Sequence, residues 1–136
     1  MTAGSAVIPD WSSSLSMGHS GIDEQHRMLI LMLRELDGHI GRDEFRQGVL
    51  DALQGMLAYA AVHFEDEEEM MEEAGWGGLD RHEGLHAEFL WKAGDFEAQL
   101  KDDYASASRD VLRYLLTWLV EHINVEDRSF FEGGNA

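Results

Sequence analysis

The chain has 136 residues, 44% of them hydrophobic, which is enough for one folded domain with a continuous core and argues against intrinsic disorder. Its 10 basic and 27 acidic residues give a formal net charge of −17, so it would repel a nucleic-acid backbone or an anionic membrane. Cysteine is absent, which excludes disulfides, thiolate zinc sites and cysteine-ligated iron–sulfur clusters.

Residues 1–19 are rich in Gly and Ser and are predicted to form an N-terminal arm. Trp11 is expected to pack this arm against the domain, and its other apolar residues are Val7, Ile8, Leu15 and Met17. The stretch from Met1 to Leu15 lacks the basic and apolar regions of a secretory signal, and no apolar run approaches the ~18 residues of a membrane span. We therefore expect a cytoplasmic protein without a membrane partner.

Two helices are predicted in the first half of the domain. The first begins with Ser20 as N-cap and Asp23 as its capping-box partner, and the second runs from about Asp43 to Met71. Glycines mark the ends of both helices: Gly38 and Gly41 bracket the end of the first, and Gly75, Gly77 and Gly78 follow the second. The inward stripes are Ile22, Leu29, Ile30 and Leu33, then Val49, Leu53, Met56, Leu57 and Ala60.

Two further helices complete the domain. The third starts near Asp80, with the inward positions His82, His86, Phe89, Ala93, Phe96 and Leu100. The fourth runs from about Ser106 to Phe131 on Leu112, Leu115, Leu119 and His122. Short connections predict an all-α fold, an antiparallel up-down-up-down four-helix bundle over residues 20–131, with residues 132–136 as a C-terminal tail.

Histidines interrupt the apolar stripe of the third helix. His82 and His86 are four residues apart, so both imidazoles lie on one inward face. With Glu83 they also form the string H-E-x-x-H of zinc proteases. Because the stripe continues through Phe and Leu into a closed core, and no cleft is indicated, we discount the protease interpretation.

The second helix repeats this spacing with His63 and Glu67, which share a face with Met56 and Ala60. Only Glu67 among the neighbouring acids has the phase of an inward ligand. The remaining acids are predicted to form a solvated face, and they are Glu65, Asp66, Glu68 and Glu69.

The first and fourth helices each add an inward histidine, His26 and His122. Helical phase favours Glu126, four residues after His122, as the accompanying carboxylate. Asp127, at five residues, would be rotated away by ~140° unless a π-type turn widens the helix. Phase alone therefore favours Glu126 and leaves Asp127 as the alternative. His19 and His39 lack an inward phase and are expected at the surface.

Five inward histidines without a metal would leave many buried nitrogens unsatisfied, at roughly 1–3 kcal/mol for each group. Five nitrogens and two carboxylates also exceed the three or four protein ligands of a single zinc. The set instead fits two metals bridged by carboxylates, and this donor chemistry favours iron, manganese or zinc.

At this point the residues resemble those of a known family, the hemerythrins, over nearly the whole chain. The closest likeness is to the single-domain bacteriohemerythrins. The matching stretches are Trp11, Gly21-Ile22-Asp23-Glu24-Gln25-His26, His63-Phe64-x-x-Glu67-Glu68-x-x-Met71, His82-x-x-x-His86 and Trp118-Leu119-x-x-His122-Ile123-x-x-x-Asp127.

The resemblance implies a non-haem di-iron centre that binds dioxygen reversibly. The family has an aspartate five residues after the last histidine, so the resemblance selects Asp127 over Glu126. Glu67, Asp127 and an oxo or hydroxo group would bridge the irons. The histidines would divide into His82, His86 and His122 on one iron and His26 and His63 on the other. The second iron would be one ligand short, and the family binds dioxygen there.

The walls of the oxygen pocket are expected to include Ile123, Trp118 and Ile30. The family often has Tyr-Pro in the loop before the third helix, where this chain has Gly75-Trp76-Gly77-Gly78, a difference that bears on the rigidity of the loop. Asn124 places a polar group where an apolar one is expected, and it would hasten autoxidation if it faced the pocket.

The predicted function is oxygen binding for transport, storage or sensing, without enzymatic turnover. The alternative is a di-iron enzyme acting on peroxide or nitric oxide. Five histidines against two carboxylates favour carrying oxygen over activating it, because carboxylate-rich di-iron proteins use Glu-x-x-His pairs instead. A sensing module of a signalling protein is a third hypothesis, and the sequence names no protein partner.

Overall fold

The computed structural model describes residues 11–134, and within that range every regular element is helical. The four long helices are α1 (Ser20–His39), α2 (Arg46–Glu73), α3 (Leu79–Asp102) and α4 (Tyr104–Glu121). Short 3-10 turns at Ser13–Leu15 and Asp43–Phe45 precede α1 and α2. Val7 and Ile8 of the predicted arm lie outside the described residues.

The helices form the predicted antiparallel bundle. Each helix packs on the next one along the chain, and α4 also packs on α1, which closes the ring. The core that they share is almost fully buried and includes Leu29, Leu33, Leu53, Met56, Leu100 and Leu115. Trp11 packs against this core, as predicted for the arm. In the part of the chain that the structure describes, no helix has the length and apolarity to cross a membrane.

The start of α1 differs from the prediction, because His19 rather than Ser20 is the N-cap. The Nδ1 atom of His19 accepts a hydrogen bond from the Ile22 N–H at 3.1 Å. An imidazole nitrogen can therefore satisfy a free helix N–H much as a serine hydroxyl does. Asp23 reaches back further than a capping box, accepting from the Met17 N–H at 2.7 Å and tying the arm to α1.

The starts of α2 and α4 are shifted from the predicted positions. The segment from Asp43 is a 3-10 turn, so α2 begins only at Arg46. Asp103 caps α4 by accepting from the Ser106 N–H at 3.3 Å, which places Ser106 inside the first turn. Neither shift affects the buried face of its helix.

The end of α4 departs from α-helical geometry. A π-helical segment covers His122–Asp127 and a second covers Ser129–Gly134. A π turn bonds residue i to residue i+5, so residues five apart lie on one face there. This is the widening that an inward Asp127 requires.

Candidate metal centre

The predicted ligand residues meet at one end of the bundle. Antiparallel helices bring the starts of α1 and α3 beside the ends of α2 and α4, where these residues lie. None of the seven is more than 4% exposed. They are His26, His63, Glu67, His82, His86, His122 and Asp127.

Three of the histidines form one compact group, the three-histidine set: His82, His86 and His122. The Nε2 atom of His122 lies 3.0 Å from Nε2 of His86 and 3.1 Å from Nε2 of His82. Imidazole nitrogens bind a metal such as zinc at ~2.1 Å, so two of them at right angles around one ion lie ~3.0 Å apart. The spacing of the set is thus that of adjacent ligands on a single metal.

The remaining two histidines, the two-histidine set, are His26 and His63. Their ring centroids are 4.7 Å apart, edge to face. Both Nε2 atoms point at the same oxygen, Oε2 of Glu67, at 3.2 Å from His26 and 3.4 Å from His63.

Two carboxylates lie between the sets, and each divides its oxygens between them. Glu67 turns Oε1 toward His86 at 3.4 Å and Oε2 toward the two-histidine set. Asp127 turns Oδ1 toward His82 at 3.0 Å and Oδ2 toward His26 at 3.0 Å. One position therefore receives three nitrogens and two oxygens, whereas the other receives two nitrogens and two oxygens.

The π-helical turn decides which carboxylate of α4 enters the centre. It brings Asp127 onto the face of His122, whose Nε2 lies 3.1 Å from Asp127 Oδ1. Glu126 instead turns toward the surface and pairs with Arg81. Ideal helical phase, which favours Glu126, does not hold here because the helix widens, and Asp127 is the acid that faces the other predicted ligands.

Two outer hydrogen bonds fix the proton positions on His86 and His63. The carboxylate of Glu68 only accepts, so His86 Nδ1–H donates to it, at 2.7 Å. Gln25 donates its amide N–H to Asp66 at 2.8 Å, which turns its Oε1 to accept from His63 Nδ1–H at 2.6 Å. Both Nε2 lone pairs consequently point into the centre, as metal ligation requires.

Sequence reasoning missed both of these partners. Helical phase groups Glu68 with its neighbours on a solvated acidic face, although its side chain is only 25% exposed. Gln25 enters the sequence argument only as part of a motif. Both residues are adjacent in sequence to predicted ligands, Glu67 and His26, and that adjacency is the signal that could have identified them.

Burial and the two carboxylates shift the pKa values of the histidines in opposite directions. Burial lowers the pKa of His63 to about 4, which keeps its ring neutral at pH 7. Burial disfavours charge on His26 and His82 too, but the nearby carboxylates of Asp127 and Glu67 outweigh it and raise the pKa of each to about 9. Burial and the charge of Asp127 oppose ionisation of Glu67, yet the histidines that surround its carboxylate lower its pKa to about 2.

Several buried polar atoms lack a hydrogen-bond partner. They are His26 Nδ1, His82 Nδ1, Glu67 Oε1 and both carboxylate oxygens of Asp127. Unsatisfied buried oxygens are costly, and the carboxylates among these atoms are oriented toward the histidine nitrogens. Nitrogen and carboxylate donors arranged in this way fit a pair of first-row metal ions.

Aromatic rings support the three-histidine set more than the two-histidine set. Phe64 stacks on His86 with centroids 3.8 Å apart, and Trp118 stacks on His122 at 4.3 Å. Trp76, from the loop in which Tyr-Pro is absent, packs edge-on against His82 at 5.8 Å and against Phe130 at 5.2 Å. The contacts of Trp76 therefore hold the loop of residues 75–78 against the bundle, which the sequence alone did not predict.

The other residues predicted near the pocket fall into two groups. Ile30 and Ile123 are each 1% exposed, within the same core. Asn124 is exposed, with Oδ1 3.5 Å from the guanidinium of Arg128, so it faces away from the centre.

Glu83 is exposed as well, which leaves the string H-E-x-x-H without the inward general base of a zinc protease.

Comparison with known proteins gives a consistent family. Residues 17–132 match the family described as hemerythrin HHE cation binding domain. The bacteriohemerythrin of Stenotrophomonas maltophilia is 32% identical over 122 residues, covering 88% of this chain and 77% of that protein. A hemerythrin chain of Sipunculus nudus is 32% identical over 123 residues, covering 88% of this chain and 91% of that protein. One solved crystal structure, of a mutant protein, has a TM-score of 0.84 at 20% identity, covers 96% of this chain and 100% of that one, and supports the fold.

Proposed function

The chain belongs to the hemerythrin family, and we propose that it binds dioxygen reversibly at a pair of non-haem irons. The proposed ligands are the seven residues of the buried cluster, with Glu67 and Asp127 shared between the two positions. An oxo or hydroxo group is proposed to complete the bridge. The proposed unit is residues 20–131, and the cytoplasm is its expected compartment.

The observation that carries this proposal is the inequality of the two sets. The three-histidine position receives five protein donor atoms and the two-histidine position receives four. Each count includes one oxygen from Glu67 and one from Asp127. A metal with an open coordination position can accept a small molecule, whereas a saturated one cannot. We therefore assign dioxygen to the side of His26 and His63.

Ferrous iron supplies the electrons that dioxygen takes up on binding and returns on release. The residues of this chain control what else reaches that position. Ile30 lies one turn after His26 on the same face of α1, and Ile123 follows His122, and both are fully buried. We propose that these two side chains form apolar walls that exclude water and proton donors, so that oxygen leaves unchanged. Trp118 is proposed as a wall on the side of the three-histidine set, because it stacks on His122.

The donor set also favours binding over turnover. Five of the seven proposed ligands are histidines, which are neutral when they bind a metal, and only two are carboxylates. Anionic ligands stabilise the high iron oxidation states that are needed to activate oxygen. A site with only two carboxylates stabilises such states less than a carboxylate-rich site does. Oxygen carriage therefore fits the site better than catalysis.

The test is a visible spectrum of the reduced protein before and after exposure to air, with iron counted. The proposal predicts two irons per chain and a charge-transfer band that appears with oxygen and disappears when oxygen is removed. Irreversible oxidation with steady consumption of peroxide or nitric oxide would replace it with a di-iron enzyme. A content of one zinc per chain would remove the di-iron centre altogether.

A further inference from the structure

The two metal positions have outer hydrogen-bond partners of different charge. His86, in the three-histidine set, donates from Nδ1 to the Glu68 carboxylate at 2.7 Å. His63, in the two-histidine set, donates from Nδ1 to the neutral amide oxygen of Gln25 at 2.6 Å. The two bonds have nearly the same length and use the same ring atom. The charge of the acceptor is the main difference between them.

An anionic acceptor makes imidazole a stronger donor. A carboxylate draws the Nδ1 proton toward itself, and the electron density gained by the ring strengthens the bond that Nε2 makes to a metal. An amide oxygen carries no net charge and does this less. Loss of such an outer partner costs ~10–100-fold in metal affinity in other proteins.

The contact of Glu68 with His86 is also held in place. Phe64 stacks on the His86 ring at 3.8 Å with an interplanar angle of 8°, which favours the ring orientation that faces the carboxylate. Glu68 is partly buried, which protects the bond from competing water. At the other position, Phe64 is tilted 47° to the His63 ring at 5.8 Å and does not stack on it.

We propose that Glu68 is a positioning residue that, through His86, makes the three-histidine position the tighter and more readily oxidised of the two. The inference rests on the di-iron function proposed above. Gln25 leaves the two-histidine position with weaker donation, so the more labile metal is the one with the open coordination position. The asymmetry of the centre thus arises from the outer partners as well as from the ligand count.

A simpler effect must be separated from this one, because Glu68 belongs to an acidic surface hollow. Glu65, Glu69, Glu72 and Glu83 line that hollow with it, and any of them attracts cations through space. Glu69 is exposed on the same hollow, and among residues 11–134 no hydrogen bond joins it to a histidine. Glu69→Gln therefore removes the same surface charge as Glu68→Gln and leaves the bond to His86 intact.

The experiment follows iron release from the loaded protein to an excess of a ferrous chelator, after the iron per chain has been counted. The wild type should release iron in two phases of equal amplitude. Glu68→Gln should speed the slow phase by ~10–100-fold and leave the fast phase within about twofold. Gln25→Ala should speed the fast phase only, and Glu69→Gln should change both phases equally and slightly.

A second readout does not depend on release. In spectroelectrochemical titration, Glu68→Gln should make the first iron harder to oxidise, whereas Glu69→Gln should match the wild type. Single-phase release by the wild type, or equal effects of Glu68→Gln and Glu69→Gln in both measurements, would overturn the inference. An iron count other than two per chain would instead overturn the proposed function.

Discussion

The two halves of the metal centre share their carboxylates and differ in nearly everything else. The position at the three-histidine set has five protein donor atoms, two stacked aromatic rings and an anionic outer partner on His86. The two-histidine set has four donor atoms, an amide partner on His63 and no stacked ring among the described contacts. In the proposed function, one half therefore holds its metal with more donors, and the other leaves a coordination position of its metal free.

This comparison shows how a bundle of nearly equivalent helices produces an unequal site. Each helix contributes one or two ligands from its inner face, so the bundle alone would give two similar positions. The inequality comes from α3, which supplies two histidines to one side, whereas the π turn after α4 places Asp127 equally between both. The residues next to the ligands then reinforce the difference.

The largest expected effect concerns the carboxylate that joins the two halves. Glu67→Ala removes an oxygen donor from both positions, so iron content should fall from two per chain to less than one. Glu65→Ala changes an exposed acid of the same helix and should retain both irons. Iron and protein are measured on the purified variants, and equal losses would show that Glu67 is not shared.

The next effect is the release of protons when apo-protein binds ferrous iron. His26 and His82, one from each set, have their pKa raised to about 9, so both carry a proton at pH 7 that a metal must displace. Since these pKa values are raised to about 9, both rings release a proton on metal binding below about pH 8, and neither has one to release above about pH 10. Calorimetry in buffers of different ionisation enthalpy should find about two more protons released at pH 7 than at about pH 10.5. A proton count that does not change with pH would contradict this.

A smaller effect distinguishes the pocket walls of the two halves. Ile30→Thr places a hydroxyl beside the two-histidine set and should speed autoxidation of the oxygenated protein roughly tenfold, a barrier change of ~1.4 kcal/mol. Trp118→Phe keeps an apolar ring beside the three-histidine set and should change the rate by less than about threefold. The rates are measured as decay of the oxygenated spectrum. A larger rate increase in Trp118→Phe than in Ile30→Thr would indicate that the open coordination position lies at the three-histidine set.

The smallest effect is expected at the acid that helical phase first favoured. Glu126→Ala removes only an ion pair with Arg81 at the surface and should retain both irons with a nearly unchanged melting temperature. Asp127→Ala provides the contrast, because it removes a buried carboxylate from both positions. Iron loss in Glu126→Ala would show that the π turn does not persist in solution.

These contrasts also indicate how far the sequence could predict the structure. Spacings of four residues were sufficient for His82 with His86 and for His63 with Glu67, because those helices keep ideal α geometry through the site. Phase failed at Asp127, where the helix widens, and only the family resemblance selected it. A π turn depends on packing around the helix, which a single sequence does not reveal.

Helical phase missed the outer partners for a related reason. Glu68 is one of several acids in a row, and its bond to His86 depends on how closely α2 and α3 approach each other. The N-cap at His19 was missed because histidine is an uncommon cap, whereas Ser20 matched the usual preference. Helix phase identifies which residues face inward, but the distances between helices decide which of them bond.

The central claim, that the open position belongs to the two-histidine half, is tested most directly by a crystal structure of the iron-loaded protein with azide. The account predicts two irons per chain, with azide on the iron held by His26 and His63. Azide on the iron of His82, His86 and His122, or a single metal ion in the site, would contradict it.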